Sequence, residues 1–191
     1  MMSPQRDVSK NARLGESERG FTLVELMVTL AVAIVLLAIA VPSFRQITIS
    51  NQLTTAANEV VLAVNTARME AIKRNASTQL CSNIAANNAS DALGTACGTS
   101  IGVVMATTSS GTTTVRDTHL NLAGSLKLKG SMTALRFNAQ GLARSAAGTG
   151  PYGGTVIDIC TTAYSSNNHR KVVMVAGSVI SVQSSSEDCS S

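Results

Sequence analysis

The longest apolar run of the chain lies close to its amino terminus. Every residue in 21–41 is apolar except Thr22, Glu25 and Thr29. As a helix these 21 residues would be about 31 Å long, which matches a bilayer hydrocarbon core of about 30 Å. We therefore predict a membrane span here.

A second helical pattern follows Pro42. Apolar residues recur at steps of three and four, at Ile49, Leu53, Ala57, Val60, Val64, Ala67 and Ala71. Polar residues occupy the opposite positions, namely Asn51, Gln52, Asn58, Arg68 and Lys73. This pattern predicts an amphipathic helix that ends at about Arg74. Pro42 either weakens or kinks the helix, or marks a helix end.

The rest of the chain alternates short β-prone runs with turn residues. We predict antiparallel strands over residues 78–82, 101–105, 112–116, 134–137, 155–160, 171–175 and 178–182. Gly177 fits the turn of the last hairpin. Residues 83–99, 142–154 and 164–168 are predicted surface loops. The expected fold is α+β, with a long amino-terminal helix packed on an antiparallel sheet.

Charged residues around the apolar run predict its orientation. Arg6, Lys10, Arg13 and Arg19 precede the run, whereas only Arg45 follows it closely. The basic bias predicts a cytoplasmic amino terminus, a single pass through the inner membrane and a periplasmic body. The formal net charge of +4 is spread along the chain and is weak support for an acidic partner.

An ordinary secretory signal is the alternative interpretation of this segment. Residues 38–40 read AIA, a small-x-small form that signal peptidase recognises after an apolar region. However, the apolar run is longer than a usual signal core, and the polar stretch before it is unusually long. A carboxylate within the run also has no purpose in a disposable signal.

The four cysteines, Cys81, Cys97, Cys160 and Cys189, all follow the apolar run, and no two of them form a CxxC motif. Two disulfides in an oxidising compartment are therefore expected, with buried free thiols as the alternative. Four cysteines permit three pairings, and the sequence alone does not choose between them. Loop closure favours the nearest neighbours, Cys81 with Cys97 and Cys160 with Cys189.

Glu25 is an unusual residue within a predicted membrane span. An ionised side chain there costs a few kcal/mol and is usually paired or functional. If the chain were cut between Gly20 and Phe21, the new ammonium at Phe21 would lie about one helical turn from Glu25. The two charges could then pair within one chain or between neighbouring chains.

Residues 20–26 read GFTLVEL, and this run resembles the prepilin peptidase site of type IV pilins and type II secretion pseudopilins. The resemblance implies cleavage after Gly20, methylation of Phe21, and neutralisation of a neighbour's amino terminus by Glu25 during assembly. It also implies a pilin-like fold, and Pro42 lies where such helices commonly have a proline. The implied segments are a leader (1–20), the transmembrane part of the helix (21–44), its amphipathic part (45–74) and a periplasmic β-rich domain (75–191).

Two further runs narrow the resemblance. Residues 67–74 read ARMEAIKR and residues 136–141 read RFNAQG. They are similar to the helix end and the strand-turn of H-type pseudopilins and the minor pilins FimT and FimU, with FimU the most similar. Without that family, Arg68 and Glu70 are expected to lie on a solvated helix surface.

The resemblance implies a minor pilin that helps initiate or link a type IV pilus and supports twitching motility. The alternative is a minor pseudopilin of type II secretion. Implied partners are prepilin peptidase, other minor pilins or pseudopilins, the major pilin, the inner-membrane assembly platform and membrane lipid. No cofactor or metal is expected. An enzyme is not expected, because His119 and His169 are isolated, predicted surface residues and no catalytic motif is present.

A DNA receptor for natural transformation is a further, less favoured alternative that the resemblance permits. FimT-like proteins have a GRxR pattern near the last hairpin, but residues 177–180 of this chain read GSVI. The two arginines that would contact phosphates are therefore absent. Arg170 and Lys171 offer a small substitute, although charges at the start of a strand are usually solvated.

Overall fold

The computed structural model describes residues 20–117, 120–122 and 124–190. The chain divides into two units, Met1–Val41 and Pro42–Ser191. Helix α1 (Leu23–Arg74) is 52 residues long and continues through Pro42. Pro42 therefore does not mark a helix end, and a kink there stays a prediction. The expected end at Arg74 is confirmed, since Asn75 takes a left-handed conformation with φ of 49°.

The remaining elements are short and follow the helix along the chain. In order they are β1 (Thr78–Leu80), a 3₁₀ turn (Ala85–Asn87), α2 (Ala92–Cys97), β2 (Val104–Thr108), β3 (Gly111–Arg116), β4 (Leu126–Leu128), β5 (Leu135–Phe137), β6 (Ala143–Ser145), β7 (Gly154–Thr161), β8 (His169–Val175) and β9 (Val179–Ser185). Each predicted strand overlaps an observed one. The α+β, pilin-like fold class is therefore confirmed.

The strands form two antiparallel sheets where a single sheet was predicted. Sheet A has the order β3-β2-β1-β5-β6, and sheet B has the order β4-β7-β8-β9. The sequence did not reveal β4 and β6, because their residues, LKL and ARS, include none of the β-branched or aromatic side chains that mark a strand. The predicted loop 142–154 was therefore wrong where β6 lies.

Helix α2 corrects the predicted loop over residues 83–99. Asp91 caps this helix by accepting a hydrogen bond from the backbone N–H of Gly94. Leu93 and Cys97 are then buried beside sheet A. A helix of six residues has no room for a repeating apolar pattern, so only its cap was visible in the sequence.

The core of the second unit lies between α1 and both sheets. The helix buries Leu53, Ala56, Ala57, Val60, Ala63, Val64, Ala67 and Ala71, which confirms the predicted stripe. Most of these side chains are alanine, so the helix backbone can approach the sheets closely. Phe137 of sheet A and Met174 of sheet B belong to the same buried cluster, so one core joins the helix to both sheets.

Candidate functional site

The amino-terminal segment places its chemical groups around the start of α1. Thr22 precedes the helix, and its Oγ1 accepts a hydrogen bond of 3.2 Å from the backbone N–H of Glu25. This is a helix cap, and it satisfies one of the unpaired donors of the first turn. Phe21 is 74% exposed, and a Cβ added at Gly20 would meet nothing within 4 Å. Among the residues that the structure describes, none crowds the Gly20–Phe21 bond.

The first part of α1 has a continuous exposed apolar surface. In the part of the chain that the structure describes, α1 is the one helix long and apolar enough to cross a membrane, and none of its most apolar stretch is buried. Leu23, Leu30 and Leu37 are each at least 59% exposed. So much exposed apolar area on a helix needs lipid or other helices around it.

At the other end of α1, Arg68 joins the helix to two turns of the body. Its Nε donates to the carbonyl oxygen of Gly141 at 3.1 Å, and its Nη2 donates to that of Ser178 at 2.6 Å. The guanidinium carbon lies 5.7 Å from the ring centroid of Phe137, within range of a cation–π contact. The expected solvated position of Arg68 was wrong, because the side chain has defined contacts with both turns and with Phe137.

Arg136, in the RFNAQG run, is buried within sheet A. Its guanidinium donates to both carboxylate oxygens of Asp91 and to the side-chain oxygen of Gln79. The hydrogen bonds from Arg136 hold the pKa of the Asp91 carboxyl well below its usual range. Arg136 therefore fastens the start of α2 to the middle of the sheet.

The second half of the same run forms a tight turn against α1. The side-chain oxygen of Asn138 accepts from the backbone N–H groups of Gln140 and Leu142. Gly141 has φ of +75°, and a Cβ there would come within 2.7 Å of the Ile72 side chain. The positive φ therefore favours glycine at this position, where the turn lies close to the helix.

Two comparisons with known families match these features. A prokaryotic N-terminal methylation motif matches residues 17–41. The family model of type II transport protein GspH matches residues 56–178, which is more than half of the chain. The chain belongs to the GspH family. Comparisons with curated proteins and with solved structures found no match.

Membership of the GspH family makes the chain a minor pilin or pseudopilin, which is a structural class of protein rather than a catalytic one. The methylation motif covers Gly20, Phe21 and Glu25, and the GspH match covers both internal runs. Such a subunit assembles with other pilin-like subunits and has a leader that prepilin peptidase processes. The roles of the three individual residues stay predictions.

Glu70 differs from Arg68 because, among the described residues, its hydrogen-bond partners lie on its own helix. Its carboxylate accepts from Arg74 at 2.7 Å and from Lys73 at 3.3 Å. Hydrogen bonding to Arg74, ahead of Lys73, lowers the pKa of Glu70. The expectation of a solvated residue without a defined contact was therefore wrong, but pairs of this kind contribute only about 0.3–0.5 kcal/mol.

His169 corrects a second expectation. It was predicted at the surface, but its side chain is fully buried, and its Nδ1 lies 2.9 Å from Oδ1 of Asp158. The two residues lie on neighbouring strands, on the face of sheet B that points away from the core. His119 lies outside the described residues.

Residues 186–189, here called the strap, cover this outer face of sheet B. The strap is held by the Cys160–Cys189 disulfide and by Glu187, which accepts from Lys171 and from Lys129. Its backbone is also held by Asn168, which donates to the Glu187 carbonyl oxygen at 2.9 Å. The strap lies over His169 and so explains its burial. No pattern within β8 indicates that a later segment covers this residue.

Electrostatics around Glu187 are consistent with an ion-paired strap. Hydrogen bonding to Lys171, and then to Ser185 and Lys129, lowers the pKa of Glu187 to about 2, and Glu187 in turn raises the pKa of Lys171. Asp158, His169 and Glu187 bring three possible metal-ligand atoms within 4.8 Å of one another. The Lys171 ammonium already supplies the positive charge at this cluster, so we interpret it as an ion-pair network.

The second disulfide joins Cys81 to Cys97. Both pairings are those that loop closure favours, and the described residues contain no free cysteine. The Cys81–Cys97 bond ties the end of α2 to the residue after β1. With Arg136, it therefore fixes both ends of α2 on sheet A.

The two cations that could replace a DNA-binding arginine pair are both held within the body. Arg170 donates to Ser50 and Thr54 of α1 and to the carbonyl oxygen of Asn167. Lys171 pairs with Glu187 of the strap. Contact with phosphates would have to break these interactions, and the expectation that the chain is not a DNA receptor stays a prediction.

We expect the Asp91→Asn variant to be less stable by about 1–2 kcal/mol at pH 7. Removing one partner of a buried ion pair costs roughly 3–5 kcal/mol, but the Asp91 side chain is 51% exposed and water screens part of that loss. Asparagine can still cap α2, so the change tests the charge alone. Guanidinium unfolding of the two proteins measures the difference.

The pH dependence should follow from the lowered pKa of Asp91. The stabilisation is complete above the unfolded carboxyl pKa of about 4 and is lost as the pH falls below it. Asp188→Asn, which removes an exposed carboxylate of the strap, is the matched control and should change stability by less than about 0.5 kcal/mol. Equal stability of Asp91→Asn and wild type at pH 7 would contradict the role given to this pair.

Proposed function

We propose that this GspH-family chain is a minor subunit of a type IV pilus, most similar to FimU, which helps to initiate or link assembly of the filament and so supports twitching motility. The observation that carries the proposal is the exposed apolar start of α1 with one carboxylate, Glu25, one helical turn after the expected cleavage point. Such a surface is suited to a membrane before assembly and to a bundle of like helices afterwards.

In this proposal the chain is first inserted into the inner membrane. Residues 1–20 form a cytoplasmic leader, residues 21–44 span the bilayer, and the body is periplasmic, where its two disulfides can form. Prepilin peptidase removes the leader and methylates Phe21. The assembly platform then transfers the chain from lipid to a filament of other minor pilins and the major pilin.

A pseudopilin of type II secretion is the second candidate, and the description of the matched family favours it. The two disulfides favour the pilus, because a pilus subunit has to remain folded outside the cell without chaperones. Deleting the gene distinguishes the pilus subunit from the secretion pseudopilin. Loss of surface pili and twitching with normal protein secretion supports the pilus, and the reverse result supports the secretion system.

Amino-terminal sequencing tests the processing step directly. We expect the mature chain to begin with N-methylated Phe21. A Gly20→Val variant should remain uncut, and since a Cβ at Gly20 meets nothing, that failure would reflect the peptidase and not misfolding. A mature chain that begins at Val41 would instead show that signal peptidase had cut after the 38–40 AIA run, and the subunit proposal would be wrong.

A further inference from the structure

Strand β9 is an edge of sheet B and has a bonding partner on one side. It pairs with β8 over all seven of its residues, from Val175↔Val179 to His169↔Ser185, and without a register shift. Among the residues that the structure describes, no element besides β8 exchanges backbone hydrogen bonds with Val179–Ser185. One row of N–H and C=O groups on β9 is therefore open to another strand.

The other sheet edges carry features that discourage strand pairing. The edge strands β4 and β6 have three residues each and contain Lys127 and Arg144, respectively. The edge strand β3 ends on Arg116 and lies beside the irregular register of β2 at Val104. Short length, charge and irregularity are the usual means by which proteins protect an edge.

None of these protections is present in β9. It has seven residues, and the whole stretch 178–186 contains no charged residue and no proline. Such an edge in a soluble protein is a site of strand addition. The difference between β9 and the three protected edges therefore points to a partner and not to a general feature of this fold.

Apolar side chains beside this edge are only partly covered. Ile180 and Val182 face the core, since their cross-strand partners Met174 and Val172 are buried. Val182 nevertheless remains 39% exposed, and Val179 on the other face is 63% exposed. A further strand alongside β9 would cover both faces of the edge and would complete the margin of the core.

We propose that β9 accepts an extended segment of a neighbouring, non-identical subunit as a fifth strand of sheet B. The segment is uncharged over about seven residues, because β9 offers no counter-charge for an ion that loses its water there. It carries β-branched or other apolar side chains opposite Ile180 and Val182. This inference rests on the proposed function, in which the chain is one subunit of a mixed filament.

A second copy of the chain that pairs antiparallel through β9 does not suit this edge. Arg170, which pairs with Ser184, contacts Ser50 and Thr54, whereas Arg68 contacts Ser178 at the other end of β9. The body part of α1 therefore runs along β9 in the opposite direction. Two copies of β9 paired antiparallel would place their helices antiparallel, but subunits inserted in one membrane with one orientation present parallel helices.

The test places lysine on the edge. Ser181 is exposed and pairs with the uncharged Val173, so the full-length Ser181→Lys variant should fold and be processed normally. We expect its amount in sheared filaments to fall by about tenfold or more, because a charge beside an added strand loses its water. Thr114→Lys, an exposed position of the β3 edge, is the matched control and should be incorporated like the wild type.

Hydrogen exchange distinguishes strand addition from contact through side chains alone. The amides of 178–186 should exchange more slowly in filaments than in the detergent-solubilised chain, whereas those of 111–116 should not change. Equal exchange of β9 in both states, or wild-type incorporation of the lysine variant, would overturn the inference while leaving the subunit role intact. Absence of the wild-type chain from filaments would overturn both. A chain that dimerises through β9 would show that the occupant is a second copy and would also overturn it.

Discussion

A Glu25→Ala variant is expected to be cut, methylated and inserted like the wild type, yet to be missing from sheared filaments. Removing a charge from an apolar span eases insertion by a few kcal/mol, so a loss of function cannot come from a failed membrane segment. In the filament the ammonium of a neighbour's Phe21 would lose its counter-charge. An unpaired charge in such surroundings costs about 3–5 kcal/mol.

Two further variants separate the charge from the helix start. Glu25→Gln keeps the shape of the side chain and should fail as Glu25→Ala does. Thr22→Ala removes the hydroxyl that caps the Glu25 N–H, costs about 1 kcal/mol of helix stability, and should still be incorporated. Immunoblots of the membrane and sheared-filament fractions measure the share of each variant that is incorporated. Wild-type incorporation of Glu25→Ala would show that this carboxylate is dispensable.

The second large effect is expected from the disulfide that holds the strap. Replacing both Cys160 and Cys189 by serine should lower the free energy of unfolding by about 3–4 kcal/mol, since the bond closes a loop with a sequence separation of 29. The strap would also detach from the outer face of sheet B. His169 and Asp158, which it covers, would then meet water.

The Cys81→Ser/Cys97→Ser variant is the matched comparison. Its bond spans a separation of 16, so chain entropy alone predicts a loss smaller by about 0.5 kcal/mol. Guanidinium unfolding of the oxidised wild type and of the two variants measures both losses in the free energy of unfolding. Hydrogen exchange of the β8 amides should increase in the Cys160/Cys189 variant alone. Unchanged exchange at β8 would show that Glu187 and Asn168 hold the strap without the disulfide.

The long helix could be predicted because its signals are local. An apolar run that matches a bilayer, and an apolar stripe at helical spacing, each depend on residues a few positions apart. The longer strands could be located for the same reason, since alternation and turn residues bracket them. The GFTLVEL run was equally direct, because the expected cleavage point and the carboxylate occur within six residues.

Contacts between distant residues could not be predicted in this way. Arg68 reaches Ser178 across 110 positions, and Arg136 reaches Asp91 across 45. His169 looked like a surface residue because β8 alone does not reveal the strap that covers it. Asp91, a preferred N-cap residue, was the one local signal that could have identified α2.

The turn between β8 and β9 is bonded to three other parts of the body. The Gly177 N–H donates to the carbonyl oxygen of Tyr152 at 2.6 Å, and the Gly177 carbonyl oxygen accepts from the N–H of Ala143 in β6 at 2.9 Å. The carbonyl oxygen of Ser178 accepts from Arg68 of α1. A pull on β9 is therefore not carried by the β8 ladder alone. At the turn, part of the force passes into sheet A and part into α1. Tension applied to β9 therefore reaches the helix through these hydrogen bonds.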